Sequence, residues 1–571
     1  MRGKEYKKIL LVLAAVTVTM SLGGTYKASA IDINEESQIQ MVKEAQIPSK
    51  YVDEAKYTSI KNQEIDGVCW SFAGMATLES YLLKNNMGTY DFSEEYIKWM
   101  ASEGLTSNYG WKITRGDGAP TQVVPGLLVS GKGPVLEESI KYDANNENSK
   151  PADLESLKPV IDVSEIEYIE NNSKDVKNAI MNYGAVETCY YHDAKFAANN
   201  STSYYCNEKT GTNHAVTIIG WDDNYSKDNF KEDCRPENNG AWLVKNSSGT
   251  EIGDNGLCWI SYEDKNVLNT DYGNLNYAIK KAQKHNDNRN IYQYDEFGTV
   301  GDCTIAKANG FTNIIYANVY DFNKEDKLLD SVIFQNNNIG NKYIVYYMPV
   351  NSNGDIQVNK KQKLAEGTTE FKGYISVPVS NFELPEGKGA IAIEVSGENS
   401  NIGIGVETKV KVEGKEAFSP SYEKGQSYVI VDEDQFDIND ESLNQQGNLS
   451  IKAVTLKEAN KPEDDEKPGD TEKPSDEQKP GDNEKPGTST NTPGDTEKPG
   501  DEQKPGDDEK PGTSTNTPGD TEKPGDEQKP GDDQKPQGGS SNSGDMRSIP
   551  VFGLLLGALG SVSMLIKKKF N

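Results

Sequence analysis

A cysteine becomes a nucleophile where its surroundings favour the thiolate, and Cys69 occupies such a place. The segment Lys61-Asn62-Gln63-Glu64-Ile65-Asp66-Gly67-Val68-Cys69-Trp70-Ser71-Phe72 passes from a polar, glycine-containing loop into Phe72, Met75, Ala76, Leu78 and Leu82. Those apolar positions have helical spacing, which puts Cys69 at a helix N-terminus. Unpaired backbone N–H groups and the helix dipole favour an anion there and lower the thiol pKa. The alternative is a small buried residue opening an ordinary core helix.

A thiolate needs a base, and the chain holds three histidines. His214 leads Asn213-His214-Ala215-Val216-Thr217-Ile218-Ile219-Gly220-Trp221-Asp222, a turn entering a buried apolar strand, so its imidazole faces a cleft from a strand end. His285 lies in a polar stretch between modules and reads as solvated. His192, in Tyr190-Tyr191-His192-Asp193, is a runner-up that could shape a substrate pocket. A third group must accept from the imidazole and hold its tautomer. Asn246, at the end of the apolar run Ala241-Trp242-Leu243-Val244-Lys245, is the candidate.

Gln63, the six-residue step to Cys69, Cys-Trp-Ser-Phe and the following helix closely resemble the active-site signature of the papain family of cysteine proteases. His-Ala-Val with its apolar run and Gly-Trp resembles the family's catalytic histidine segment, and Asn246-Ser247-Ser248-Gly249 resembles its Asn-Ser-Trp-Gly. The resemblance implies that the Gln63 side chain and the Cys69 backbone N–H form the oxyanion hole. It places Arg115-Gly116-Asp117-Gly118 where the family has a Gly-Gly pair that binds an extended substrate, making Gly116, Asp117 and Gly118 substrate-binding candidates; an ordinary turn is the alternative. Gly133-Pro134-Val135-Leu136-Glu137 resembles a stretch of bacterial members and assigns no chemistry.

Two departures from the family pattern are visible. Ser248 stands where a tryptophan would shield the Asn/His contact, and Trp259 is the candidate replacement. Asp66 stands where a cysteine would make a disulfide beside the nucleophile.

These residues need a scaffold, and 571 residues exceed what one core organises. Residues 47–284 are aromatic-rich with mixed helical and strand patterns, enough to bury one globular core, and the resemblance to the papain family implies an α+β domain there with a helical half and a β-barrel-like half. Residues 221–239 read as an enlarged loop between strands. Residues 288–458 shift to short β-rich runs between Asn/Gly/Asp turns, which predicts an all-β sandwich or jelly roll. By domain order, and by Asn290-Ile291-Tyr292-Gln293-Tyr294-Asp295, this module resembles the lectin-like domain of surface proteases of Gram-positive anaerobes. No sugar or calcium site follows from residues that can be named, so a structural calcium stays open.

Residues 1–30 combine a basic start, an apolar run and Ala28-Ser29-Ala30, as a cleavable signal peptide does. The short N-terminal or pro segment 31–46 is too small for a large inhibitory pro-domain, which predicts low latency. Residues 459–545 hold 24 acidic against 11 basic side chains and repeat a Pro-Gly-Asp-Thr-Glu-Lys-Pro unit from Pro468, Pro493 and Pro518, the composition of an extended, disordered spacer. Residues 546–571 include the apolar run 549–566 and then Lys567, Lys568 and Lys569, which predicts a transmembrane helix with its lysines cytoplasmic. The order resembles a wall-sorting signal, though Ser540-Ser541-Asn542-Ser543-Gly544-Asp545 keeps only the glycine of the expected pentapeptide and the aspartate that follows it.

The net charge of −30 argues against a nucleic-acid partner. Six cysteines show neither a dense disulfide framework nor a zinc spacing; pairing among Cys189, Cys206, Cys234 and Cys258 is left open. The expectation is a secreted, monomeric cysteine endopeptidase of the cell surface, anchored to membrane or wall, without a cofactor. Its expected partners are protein or peptide substrates, surface or host matrix proteins among them, and cell-wall glycan through the β-module. Rival readings are a catalytically silent adhesin and a cell-wall amidase.

Overall fold

In the computed structural model, which describes residues 47–102, 109–306, 313–397, 401–412, 415–431, 433–442 and 446–457, the apolar run after Val68 is helix α1, Cys69–Lys84. Its spacing predicts one apolar face, yet every residue from Cys69 to Leu82 is buried. Helices α2 (Glu94–Met100) and α3 (Val123–Val129) pack on one side and a sheet covers the other, so the helix needs its polar residues satisfied internally. They are: the Thr77 hydroxyl donates to the Ala73 carbonyl, the Ser80 hydroxyl donates to Lys56 O, and the Glu79 carboxylate accepts from Phe92 N–H and the Thr58 hydroxyl. Ser93 caps α2 by accepting the Tyr96 N–H.

The second half of the protease module is a sheet with helix α4 (Ser173–Tyr183) against it. Strands Tyr277–Lys284, Val186–Tyr190, His214–Asp222, Ala241–Lys245 and Leu257–Ser261 lie side by side in that order, antiparallel throughout. The His214 strand is buried from its first residue to Trp221, hence its unbroken apolar sequence. Between it and Ala241 comes the expected long polar connection, carrying two short 3₁₀ turns.

Most of the strands of residues 289–457 lie in two facing sheets, beside a small three-stranded one of Gly301–Ala306, Asn401–Thr408 and Gly447–Leu449. A six-stranded one runs Gln362–Thr368, Lys342–Pro349, Gly387–Ser396, Asn313–Phe322, Ser427–Val431 and Asp434–Asp437. Facing it lie Arg289–Tyr292, Ile451–Lys457, Asp326–Asn336 and Lys372–Glu383. Tyr316, Val345, Ile391 and Ile393 from one meet Val332, Phe334, Ile451 and Ala453 from the other in a shared core. This is the sandwich that the alternating β runs predict.

The sequence reads as two separate modules, but the backbone does not stop at the boundary. Strand Lys372–Glu383 pairs with Ile161–Tyr168 of the protease module, Tyr374 opposite Ile166, so the long sheet continues through both and counts 13 strands among the described residues. Below this seam Lys452, fully buried, sits 2.8 Å from the Asp295 carboxylate, 2.8 Å from Gln293 Oε1 and 3.2 Å from the hydroxyl of Ser130, the residue after α3. At Gly126 in α3 a Cβ would stand 2.3 Å from the Phe297 carbonyl, so only glycine permits that approach.

Among the described residues no helix is long and apolar enough to cross a membrane. The expected signal peptide, the 31–46 segment, the 459–545 spacer and the 546–571 span lie outside the described residues.

Candidate active site

Helix α1, the His214 strand and the end of the Ala241–Lys245 strand converge, and they bring Cys69, His214 and Asn246 to one place. Cys69 is the first residue of its helix and His214 the first of its strand. The Cys69 Sγ accepts the N–H of Ala215 at 3.3 Å, which ties the thiol to the residue after the histidine. His214 Nε2 lies 2.8 Å from Asn246 Oδ1, and the same oxygen accepts the Ser247 N–H at 2.8 Å. An amide oxygen only accepts, so Nε2 carries the ring proton. Nδ1 is then the basic nitrogen, and it is buried with no hydrogen-bond partner.

Gln63 is held on three sides. Its backbone N–H donates to Ser247 O at 2.8 Å, its Oε1 accepts the Ser247 hydroxyl at 2.5 Å, and its Nε2 donates to Asp66 O at 2.7 Å. One Nε2 hydrogen remains for a ligand. Ser247, unremarked in the sequence, therefore serves both amides: its backbone N–H fixes Asn246 and its hydroxyl fixes Gln63. Glu64 beside it adopts a left-handed φ of 54°, stabilised by Asn62 Oδ1 accepting its N–H at 2.9 Å.

Gly116, Asp117 and Gly118 face the nucleophile's loop. Gly67 N–H donates to Gly116 O at 2.7 Å, and Trp70 Nε1 donates to Asp117 O at 3.2 Å. At Gly116 (φ +90°) a Cβ would lie 2.6 Å from Asp66 Oδ1 and 2.7 Å from Asn146 Nδ2. That crowding comes from a buried ionic cluster on the residue expected to lack a disulfide. Asp66 meets Lys98 Nζ at 2.8 Å and Asn146 Nδ2 at 2.7 Å, Lys98 reaches Glu95 at 2.7 Å, and Glu95 accepts from Arg115 Nη2 at 2.6 Å. Charge pairs thus join the two loops. All six cysteines are free and buried, so the pairing left open for Cys189, Cys206, Cys234 and Cys258 does not occur here.

Trp259, the candidate replacement for the missing tryptophan, stacks on Tyr225 at 4.5 Å. Tyr190 and His192 pack against the imidazole, edge-on and tilted, with ring centroids 5.6 and 5.7 Å from that of His214, and the Tyr190 hydroxyl lies 2.9 Å from His192 Nδ1. Directly opposite strand partners bring these rings together, since Tyr190 pairs with His214. His285 lies away from this group, 2.7 Å from the Asp162 carboxylate.

Burial works against charge separation in the empty site. It pushes the Cys69 thiol up to about 11, against the lowering by the N–H groups of Ala215, Trp70 and Cys69. It pushes His214 down to about 4, helped by His192 and opposed by the Asn246 hydrogen bond. Burial also holds the Glu187 carboxyl, on the strand beside His214, well above its usual range, and its charge is a further influence that raises the Cys69 thiol. Burial thus opposes both the thiolate and the imidazolium, against the backbone N–H groups at the helix start and the Asn246 hydrogen bond that favour them.

A second buried network braces the site from below. Lys61, two residues before Gln63, contacts Glu94 at 2.8 Å and Glu79 at 3.3 Å; Lys245, the neighbour of Asn246, donates to the Thr58 hydroxyl at 2.9 Å. Burial opposes the Lys61 charge, but Glu94, Glu79 and Asp91 outweigh it and keep the ammonium charged.

Residues 48–279 match the model of the papain family cysteine proteases and residues 291–455 that of the lectin-like domain. Two solved structures of Cwp84, described as a surface layer associated protein of Clostridium difficile, are 36% identical with a TM-score of 0.66. Both alignments cover 72% of this chain, with 100% of one solved chain and 89% of the other. Among curated proteins, the viral cathepsin of Autographa californica nuclear polyhedrosis virus is 28% identical over 206 residues, covering 35% of this chain and 55% of the relative. The chain thus spans about half the length of the curated relatives it matches.

Proposed function

Because this chain belongs to the papain family of cysteine proteases, we propose that it is a cell-surface endopeptidase with Cys69 as nucleophile, His214 as base and Asn246 as the residue orienting it. The observation that carries this reading is Asn246 Oδ1 accepting from both Ser247 N–H and His214 Nε2, which leaves Nδ1 free for the thiol proton. As the substrate carbonyl arrives, the Sγ–H proton passes to Nδ1 and sulfur bonds to the carbonyl carbon. The Cys69 N–H and the remaining Gln63 Nε2 hydrogen receive the oxyanion. Nδ1–H then protonates the leaving amine, the C–N bond breaks, and a thioester remains. Water, deprotonated by Nδ1, attacks that thioester and releases the acid and the thiol. The backbone of Gly116, Asp117 and Gly118 pairs with the substrate strand.

The extracellular placement rests on the signal-like segment 1–30, on the spacer and apolar C-terminal run, and on the similarity to Cwp84, a surface layer associated protein. Anchoring by 546–571, in the membrane or through the wall, belongs to the same proposal. The lectin-like module is the candidate glycan-binding part. Protein substrates outside the cell follow from this placement.

An irreversible epoxide thiol-protease inhibitor, followed by peptide mass mapping, tests the assignment. A single adduct on Cys69 with loss of casein cleavage is expected, and Cys69→Ala should lower turnover by roughly 10⁶-fold while the chain stays folded. Burial that favours the neutral pair is the observation on the side of a silent adhesin. Glycan binding by the full chain with no adduct on folded protein would establish that alternative.

A further inference from the structure

The loop carrying Gly116, Asp117 and Gly118 is reached through a strand of two residues, Gly110–Trp111, too short to hold its own place. Its β partner comes from the lectin-like module. Gly110 pairs with Ser419 and Trp111 with Phe418, on strand Lys415–Ser419, and the ladder extends as Lys112 N–H donates to Ala417 O at 2.9 Å. Phe418 is fully buried, its ring centroid 4.8 Å from that of Trp111 and 6.1 Å from that of Phe297, also of the lectin-like module. The chain then runs through Ile113, bridged to Ser102, into a tight turn where Asp117 N–H donates to Thr114 O at 2.9 Å. The far side of that turn is held by Gly67 N–H and Trp70 Nε1. The substrate edge is therefore suspended between the nucleophile's loop and the second module.

We propose that strand Lys415–Ser419 of the lectin-like module is a positioning element for the protease cleft, with Phe418 its principal residue. It fixes the height of the 114–118 turn against an extended substrate and touches neither the substrate nor the reacting atoms. The inference rests on the reading of Cys69 as nucleophile and of the 116–118 backbone as the substrate edge. It assigns the lectin-like module a part in peptide binding besides any glycan it holds.

Phe418→Ala in the full chain tests this. Steady-state kinetics would be run on a peptide taken from the wild-type digest of casein, alkylation of Cys69 by iodoacetamide would be timed, and amide hydrogen exchange followed across 112–118. KM should rise, by ~10- to 100-fold for a displacement near 1 Å, with kcat and the alkylation rate little changed and exchange at 112–118 accelerated. Phe418→Leu, which keeps most of the apolar volume, should shift the same quantities less and carries the test if the alanine variant does not fold. An unchanged KM with unchanged exchange in a folded variant overturns the proposal, as does a parallel fall of kcat and alkylation with KM constant. A wild-type chain that neither cleaves casein nor is alkylated at Cys69 sinks the protease reading instead, and the exchange measurement then still decides the positioning role.

Discussion

Ser247 connects the two amides that the proposed chemistry depends on, through its backbone N–H to Asn246 and its hydroxyl to Gln63. Gln63→Ala removes an oxyanion donor and should lower kcat by about 10²- to 10³-fold with KM nearly constant. Ser247→Ala leaves the donor but frees its side chain, so a smaller loss in the same parameter is expected from the same assay. The pH profile carries a second prediction. With His214 held down to about 4, the base stays neutral to lower pH than an ordinary histidine, so kcat/KM should fall only as pH drops through about 4. Because His192 helps depress His214, His192→Gln should move this acid limb upward; a limb near 6.5 in the wild type would contradict the burial argument.

At the scale of elements, charge pairs do between Asp66 and Arg115 what a covalent bridge would do. Lys98 is the hinge of that cluster, buried between the carboxylates of Asp66 and Glu95. Lys98→Met would leave both without their shared cation, which should cost about 3–5 kcal/mol in urea unfolding. Since the described residues contain no disulfide, a strong reductant should leave the thermal midpoint of wild type unmoved. Helix α1 shows why its pattern misleads about exposure: apolar spacing reports which residues must be buried, not which polar ones find partners inside. Glu79 and Ser80 are buried because Thr58, Phe92 and Lys56 meet them across the fold.

At the scale of the molecule, the continuous sheet and the Lys452 contacts make the two modules one mechanical body. All six tryptophans lie between Trp70 and Trp259, within the protease module, and among the described ring contacts only Trp111 packs on the lectin-like module, against Phe418, so their fluorescence reports chiefly the protease module. Lys452→Met, a change in the last strand of the lectin-like module, leaves the Asp295 carboxylate buried and unpaired. It should lower the tryptophan-detected unfolding midpoint by the equivalent of about 3–5 kcal/mol. Modules that unfold independently would leave the midpoint of the main tryptophan transition unchanged, with at most a minor separate phase from Trp111.

The residue types, their order and the Gln63-to-Cys69 step were legible because chemistry restricts which side chains can serve and local pattern restricts where helices and strands start. The sequence alone thus determined the papain-like reading, the β-rich second module and the candidates Cys69, His214, Asn246 and Gln63. It could not reveal Ser247 as the link between amides, Tyr190 and His192 as the rings packed against the imidazole, or Lys98 as the bridge beside Asp66. Nor could it show the lectin-like strand beside Gly110–Trp111. Each of these depends on contacts between residues tens to hundreds of positions apart, and neither periodicity nor composition encodes such pairings. The burial that opposes the Cys69 thiolate was hidden for the same reason: a helix start is visible in the chain, whereas the desolvation that works against it arises only when the sheet closes over Cys69.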